Sequence, residues 1–219
     1  MKVKTIRDDA KGMFARVGRI TVYFHGLLNC LLKQLEYNIK QKAAEENEQT
    51  DNKGDQKGEN PVIESIVKEL IKRNWTISTM ESCTGGLLSS MITDVPGASA
   101  VFPGGFVTYL NEVKVMVGVD KAVIEQYGVY SGECARAMAS TAGERFRTKI
   151  AIGITGTTGN PDPNNKDSVI GQAFFCIQID DKRYDYEINE KIESLSRHEI
   201  KELYANRVWE ALQQLIAGK

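Results

Sequence analysis

A serine followed by two glycines stands at a predicted strand-to-helix junction. Ser82 follows the alternating run 77–81, which is typical of a strand end, and precedes 87–92, whose apolar spacing is helical. We expect the strand to pass directly into the helix, so that the first N–H groups of the helix are unpaired and face outward as an anion or oxyanion site. Gly85 and Gly86 would let a ligand approach the backbone. The alternative is that Ser82 only caps the helix.

A lysine and a tyrosine near the next predicted strand are suitable partners for a nucleophilic serine. Lys114 follows Tyr109 by five residues and Asn111 by three, across a second strand-to-helix corner. A lysine in a cleft can lose its proton through desolvation and then take one from a serine, which gives a Ser–Lys hydrolytic pair. The Tyr109 hydroxyl could bond between the two groups, orienting the amine or passing the proton. The alternatives are a solvated surface lysine and a half-buried aromatic ring.

Two further groups of residues could bind a phosphate or a carboxylate. The segment 155–159 holds three threonines and two glycines, whose hydroxyls and N–H groups could cradle a phosphate. Arg197 and Lys201 lie one turn apart on the last predicted helix, where both could face one ligand. The alternatives are an ordinary loop and a solvated helix face.

The elements that must position these residues follow from hydrophobic periodicity. Helical stripes separate the early strands, and the last two strands are close enough to form an antiparallel hairpin. The predicted strands are 75–80, 104–110, 150–154, 169–179 and 184–188. This order predicts a three-layer α/β/α domain with a five-stranded mixed sheet.

Ligands of such sheets bind outside the carboxyl ends of the strands, at a topological switch point. Three segments with suitable chemistry leave strands in that direction, namely 81–86, 109–114 and 155–159. We therefore expect them to converge on one site.

Helix starts are predicted at Pro61, Asp120, Ser131 and Ser194.

Composition limits the class of protein. The chain has 219 residues and a net charge of −1, without the basic excess that binds nucleic acid, so no nucleic-acid partner is expected. Its four cysteines lie far apart with no C-x-x-C pair, and only two histidines are present, so no zinc site is predicted. Reduced thiols are expected, which favours a cytoplasmic location.

The first sixty residues differ from the rest. Segment 41–60 has almost no large apolar side chain, which predicts a disordered linker between an N-terminal extension, 1–40, and the domain, 61–219. Apolar residues recur at helical spacing in 20–35, which predicts an amphipathic helix. That helix could dock on its own domain, a dimer mate or another partner, or act as a targeting or membrane-surface leader. Charged residues interrupt it, so a membrane span is not expected.

Six short stretches point to one known family when they are taken together. They are Glu-Ser-Cys-Thr-Gly-Gly at 81–86, Asp-Val-Pro-Gly-Ala-Ser at 94–99, Phe-Pro-Gly-Gly at 102–105, Tyr-Leu-Asn-Glu-Val-Lys at 109–114, Gly-Val at 118–119 and Ile-Thr-Gly at 154–156. In this order and spacing, the chain resembles the CinA C-terminal domain family, the nicotinamide-nucleotide amidohydrolases. The resemblance runs from about Val62 to the C-terminus.

The resemblance implies a fold, an activity and a set of site residues. The fold is a three-layer domain with a five-stranded mixed sheet, and the activity converts nicotinamide mononucleotide to nicotinic acid mononucleotide and ammonia without a metal or other cofactor. By motif match, Ser82 resembles the nucleophile and Lys114 the base, with Tyr109 beside them. The resemblance implies substrate contacts at Thr155, Gly156 and Arg197. Our further candidates for substrate binding are the N–H groups of Cys83 or Thr84, as an oxyanion hole, together with Gly85, Gly86 and Asn111. A homodimer is also suggested.

The chain departs from the family pattern in the segment 157–168. Many relatives have Ala-Gly-Pro there and a Lys-Pro before the next strand, whereas this chain has Thr158–Asn165 and then Ser168–Gly171. Lys201 stands where relatives often carry a second arginine. Because the segment flanks the predicted phosphate site, the alternative function is a catalytically inactive pyridine-nucleotide-binding or regulatory module.

Overall fold

The computed structural model describes residues 60–159, 165 and 168–218. The predicted helix at 20–35 and all of the predicted linker except Asn60 lie outside these residues. The described helices are α1 (Pro61–Arg73), α2 (Leu87–Thr93), α3 (Asn111–Val117), α4 (Lys121–Tyr127), α5 (Gly132–Phe146) and α6 (Arg197–Ala217), with a 3₁₀ turn at Ala98–Ala100. The strands are β1 (Ile77–Glu81), β2 (Gly104–Val107), β3 (Ile150–Gly156), β4 (Gln172–Ile179) and β5 (Lys182–Asn189).

The five strands form one mixed sheet in the order β2-β1-β3-β4-β5. β1 pairs in parallel with β2 and β3, whereas β4 and β5 continue the sheet in antiparallel pairs. The chain leaves β1 to one side for β2 and later returns to the other side for β3, so β1 is the topological switch point. Glu81 pairs with Val107 and with Ile154, so the carboxyl ends of the three parallel strands meet at one edge.

Helices cover both faces of this sheet. Ile150, Ile152 and Ile154 pack in the larger core with side chains of α1, α2 and α6. On the opposite face, β3 meets α5 through small residues, among them Ala135, Ala139 and Ala151. A Cβ atom at Gly153 would lie 2.2 Å from the carbonyl oxygen of Ala135, so α5 lies directly against β3. The predicted three-layer α/β/α fold is therefore confirmed. No described helix combines the length and the apolar character that crossing a membrane requires.

Each of the predicted strands differs from the observed one by a few residues at one end or both, and two boundary differences bear on the site. β2 ends at Val107 rather than at Leu110, so the chain enters the corner before α3 three residues early. The last helix is capped by Ser196 rather than by Ser194, because Ser196 and Glu199 form a reciprocal capping box. The predicted starts of α1, α4 and α5 are confirmed.

Candidate active site

The junction after β1 is a five-residue turn. Ser82–Gly86 separate β1 from α2, and Gly85 and Gly86 have positive φ angles of 63° and 95°, which residues with a side chain rarely adopt. The Ser82 N–H donates to the carbonyl of Ile154 at 3.1 Å, and the Ser82 carbonyl accepts from the Gly85 N–H at 3.2 Å. The predicted direct passage from strand to helix is therefore wrong. The capping alternative for Ser82 is also wrong, because the N-cap is Gly86.

The carboxylate of Glu81 occupies the N-terminus of α2. It accepts the N–H groups of Gly86, Leu88 and Ser89 at 3.0, 3.0 and 2.9 Å. It also accepts the hydroxyls of Thr84 and Ser89 at 2.8 and 2.7 Å. Because these N–H groups are bonded to Glu81, the prediction that the helix start faces outward as an anion site is wrong. Glu81 lies in the predicted segment 81–86, but the sequence predicted no role for its side chain. An acidic residue just before a predicted helix start was the signal in the sequence that could have predicted this interaction with the helix N-terminus.

Lys114 and Ser82 contact each other in the interior. Nζ of Lys114 lies 3.1 Å from Oγ of Ser82, Lys114 is fully buried, and Ser82 is only 6% exposed. The same nitrogen donates to the carbonyls of Thr108 and Tyr109 at 2.8 and 3.4 Å. Both carbonyls lie in the corner between β2 and α3, and Lys114 folds back over that corner from the first turn of α3. The alternative of a solvated surface lysine is therefore excluded.

The contacts of Lys114 suit a group that exchanges a proton. Backbone carbonyls can only accept hydrogen bonds, so they hold the amine or the ammonium in the same place. A neutral amine would donate its two N–H groups to Thr108 and Tyr109 and point its lone pair at the hydroxyl of Ser82. An ammonium would donate to all three oxygens. A proton could thus pass from Ser82 to Lys114 without movement of the lysine.

The side chain of Tyr109 contacts Arg197. Its ring is exposed, and its phenolic oxygen accepts a hydrogen bond from Nη2 of Arg197 at 2.6 Å. Toward Lys114, Tyr109 presents its backbone carbonyl. The Tyr109 hydroxyl was expected to bond between Ser82 and Lys114. It instead bonds Arg197 at the exposed edge of the site, which we call the mouth of the site.

Two cationic side chains of α6 lie at that mouth. Arg197 donates through Nη1 to the carbonyl of Thr158 at 2.9 Å, so it connects the loop after β3 with the β2–α3 corner. A methyl group added at Gly85 would lie 3.6 Å from Nζ of Lys201, so that amine lies beside the Ser82–Gly86 turn. Both predicted cations thus lie next to segments that carry the site, Arg197 beside Tyr109 and Lys201 beside the Ser82–Gly86 turn.

The predicted phosphate cradle after β3 is engaged within the protein. The buried hydroxyl of Thr155 donates to the carbonyl of Val129 at 2.9 Å, and the hydroxyl of Thr157 also donates to a backbone carbonyl. Gly156 packs against the neighbouring strand, since a Cβ atom there would lie 2.5 Å from Cβ of Ala173. A phosphate at this place would have to draw these hydroxyls away from their present acceptors.

The remaining predicted residues differ in the contacts that they make. The side chain of Asn111 donates to that of Asn165 at 3.4 Å, and the hydroxyl of Thr84 is bonded to Glu81. Burial raises the pKa of the Cys83 thiol to about 12, so the thiol is protonated at neutral pH. The N–H groups of Cys83 and Thr84 face this sulfur and partly oppose the rise of its pKa, so a ligand oxygen would have to draw them away from the thiol.

Comparisons with known proteins agree with this architecture. The profile of the CinA C-terminal domain family matches residues 59–216. The chain is 35% identical over 153 residues to "Protein MG115 homolog" of Mycoplasma pneumoniae, covering 69% of this chain and 95% of that one. It is 40% identical over 124 residues to a putative competence-damage inducible protein of Clostridium perfringens, covering 56% of this chain and 30% of that longer one.

A solved structure has the same fold. A CinA superfamily protein of Klebsiella pneumoniae superposes with a TM-score of 0.68 at 21% identity, covering 74% of this chain and all of that one. At that identity, the superposition shows the fold alone. Since the family profile spans most of the chain and includes the strands, the Ser82 turn and the Lys114 corner, the protein belongs to the CinA C-terminal domain family.

Proposed function

We propose that the chain is an amidohydrolase that converts nicotinamide mononucleotide to nicotinic acid mononucleotide and ammonia. The observation that carries the proposal is the contact of 3.1 Å between Nζ of Lys114 and Oγ of Ser82, in the interior and at the switch point of the sheet. Family membership and the motif resemblance support the choice of a pyridine nucleotide as substrate.

In the first half-reaction, Oγ of Ser82 attacks the carboxamide carbon while the amine of Lys114 takes the hydroxyl proton. Desolvation of a buried lysine favours the neutral form that this step needs. The oxygen of the tetrahedral intermediate then takes hydrogen bonds from the N–H groups of Cys83 and Thr84. Lys114 returns its proton to the leaving nitrogen, the C–N bond breaks, and ammonia leaves an ester on Ser82.

In the second half-reaction, a water molecule attacks the ester and Lys114 takes one of its protons. The second tetrahedral intermediate collapses with loss of the Ser82 oxygen, which regains the proton from Lys114. The carboxylic acid that forms loses its proton to solvent, which gives the carboxylate of nicotinic acid mononucleotide. The carbonyls of Thr108 and Tyr109 stabilise the ammonium form of Lys114 in both halves, because their oxygens lie at 2.8 and 3.4 Å from its nitrogen.

The cations of α6 are suited to the anionic part of the substrate. Arg197 has a carbonyl and a phenol as its described partners, neither of which neutralises its charge, and Lys201 lies beside the turn that carries Ser82. A phosphate held there would leave the pyridine ring pointing inward toward Ser82. We therefore propose that the nucleotide binds with its phosphate at α6 and its pyridine ring toward Ser82.

The test is ammonia release from a panel of pyridine nucleotides by the purified full chain. We expect release from nicotinamide mononucleotide, with nicotinic acid mononucleotide as the product, and loss of about 10²-fold or more of the activity in Ser82→Ala. Ser90→Ala is the matched control, because Ser90 is exposed on the adjacent helix. Binding of the nucleotide without ammonia release would instead support the regulatory-module alternative, which the divergent segment 157–168 favours.

A further inference from the structure

We infer that Glu81 is a positioning residue, whose buried carboxylate holds the Ser82–Gly86 turn in the geometry that the nucleophile needs. The inference rests on the proposed function for its kinetic consequence. Its structural basis is independent of the substrate, because it concerns the contacts of Glu81 with the turn and with α2.

Glu81 closes the turn at both ends. Its backbone is fixed in β1, where it pairs with β2 and β3. Its side chain reaches forward to the N–H of Gly86, five residues later, at 3.0 Å. The helix α2 has Gly86 as N-cap and therefore no capping side chain of its own, so the carboxylate of Glu81 takes that place. The four residues between these two points, including Ser82, are held in a closed ring.

Glu81 also connects the nucleophile with the base. The carbonyl of Glu81 accepts the N–H of Thr108 at 2.8 Å, and the carbonyl of Thr108 accepts Nζ of Lys114 at 2.8 Å. One residue thus fixes the turn of Ser82 through its side chain and the acceptor of Lys114 through its main chain. A shift of Glu81 would change the distance between Ser82 and Lys114.

The number and kind of donors require a carboxylate at this place. The N–H groups of Gly86, Leu88 and Ser89 and three hydroxyls all point at its two oxygens. A glutamine has the same size, but its NH₂ group would face donors and lose their hydrogen bonds. The side chain would have to turn or the helix start would have to move. Either change displaces Ser82 and the N–H groups of Cys83 and Thr84.

The experiment compares Glu81→Gln and Ser89→Ala with Ser90→Ala in the full chain. Ser89 donates its hydroxyl to Glu81 at 2.7 Å, whereas Ser90 is exposed on the next position of the same helix. Ser89→Ala removes one donor to Glu81 and one partner of the buried Thr79 hydroxyl, which keeps Glu81 as an acceptor at 3.4 Å. It therefore remains informative where Glu81→Gln does not fold. The readouts are kcat and KM for ammonia release and the rate at which a fluorophosphonate labels Ser82.

We expect Glu81→Gln to lower kcat and the labelling rate by about 10²-fold, because small displacements of reacting groups have effects of that size, with KM changed by less than about twofold. Ser89→Ala should lower both by about threefold to tenfold, and Ser90→Ala should leave them unchanged. Unchanged kcat and labelling per folded molecule, with only a lower melting temperature, would overturn the inference and leave Glu81 a purely structural residue.

The labelling arm separates this inference from the proposed function. If wild type releases no ammonia but Ser82 is labelled, the proposed function fails while the labelling rates of the variants still decide the role of Glu81. If Ser82 of wild type is neither labelled nor active, both proposals fail.

Discussion

The guanidinium of Arg197 donates to the phenolic oxygen of Tyr109 at 2.6 Å, and this contact joins the last helix to the corner that carries Lys114. Tyr109 thus orients Arg197 rather than bonding Ser82. We expect Tyr109→Phe to raise KM about threefold to tenfold, the effect of losing one ordinary hydrogen bond, because the contact is exposed, with kcat nearly unchanged. Steady-state kinetics of ammonia release measure both constants.

Tyr127→Phe is the control for that change, because Tyr127 is also an exposed tyrosine and lies at the end of α4. A loss of kcat in Tyr109→Phe at constant KM would contradict this assignment. It would support the proton-passing role predicted from the sequence.

Lys114→Met removes the amine and keeps most of the buried aliphatic stem. We expect ammonia release to fall by about 10²-fold or more, because Ser82 loses its base. The double variant Ser82→Ala/Lys114→Met should be no slower than either single variant, since the two groups act as a unit. Lys121→Met is the control, because Lys121 is exposed. Additive losses in the double variant would show that the two residues act separately.

Buried thiols predict a loss of stability at alkaline pH. Burial raises the pKa of Cys83 and Cys176 to about 12 and that of Cys134 to about 11, from 9.0. Between pH 9 and these values, the folded state keeps protons that the unfolded state has lost. The free energy of unfolding should therefore fall as pH rises above about 9, by up to about 4 kcal/mol per pH unit for three thiols.

Denaturant unfolding at pH 8, 9 and 10 measures this slope. Cys134→Ala should reduce the slope that these thiols produce by about one third, because one of the three buried thiols in the described part of the chain is gone. An identical slope in wild type and Cys134→Ala would contradict the prediction for that residue.

Gly153→Ala should destabilise the fold. Its Cβ atom would lie 2.2 Å from the carbonyl oxygen of Ala135 and 2.5 Å from the backbone nitrogen of Ala139, so α5 would have to move away from β3. We expect the free energy of unfolding to fall by about 1–3 kcal/mol, the usual effect of overpacking. Gly132→Ala is the matched control on α5, because a Cβ atom there meets no atom within 4 Å. Equal melting temperatures for the two variants would rule out the close packing of α5 on β3.

The fold could be predicted from the sequence because its signals are local. The unbroken apolar run at Ile150–Ile154 indicates a strand covered on both faces, and the small residues of α5 indicate close packing. The pairing of Ser82 with Lys114 followed from the general rule that strand ends converge, supported by the family resemblance.

The details of the site could not be predicted in the same way. The turn at Ser82–Gly86 depends on the side chain of Glu81, which satisfies N–H groups up to eight residues later. The partner of the Tyr109 hydroxyl depends on where α6, 88 residues later in the chain, crosses the site. Neither contact has a periodic pattern in the sequence, because each is made by one side chain across the fold.

Two of the acceptors that hold Lys114 belong to the main chain. The carbonyls of Thr108 and Tyr109 are present whatever side chains those two positions carry. Substitution at either position therefore keeps these two hydrogen bonds of Lys114, as long as the backbone of the corner keeps its conformation. At these two positions the hold on the base is thus tolerant of side-chain substitution, whereas the serine depends on the identity of a single neighbouring acid.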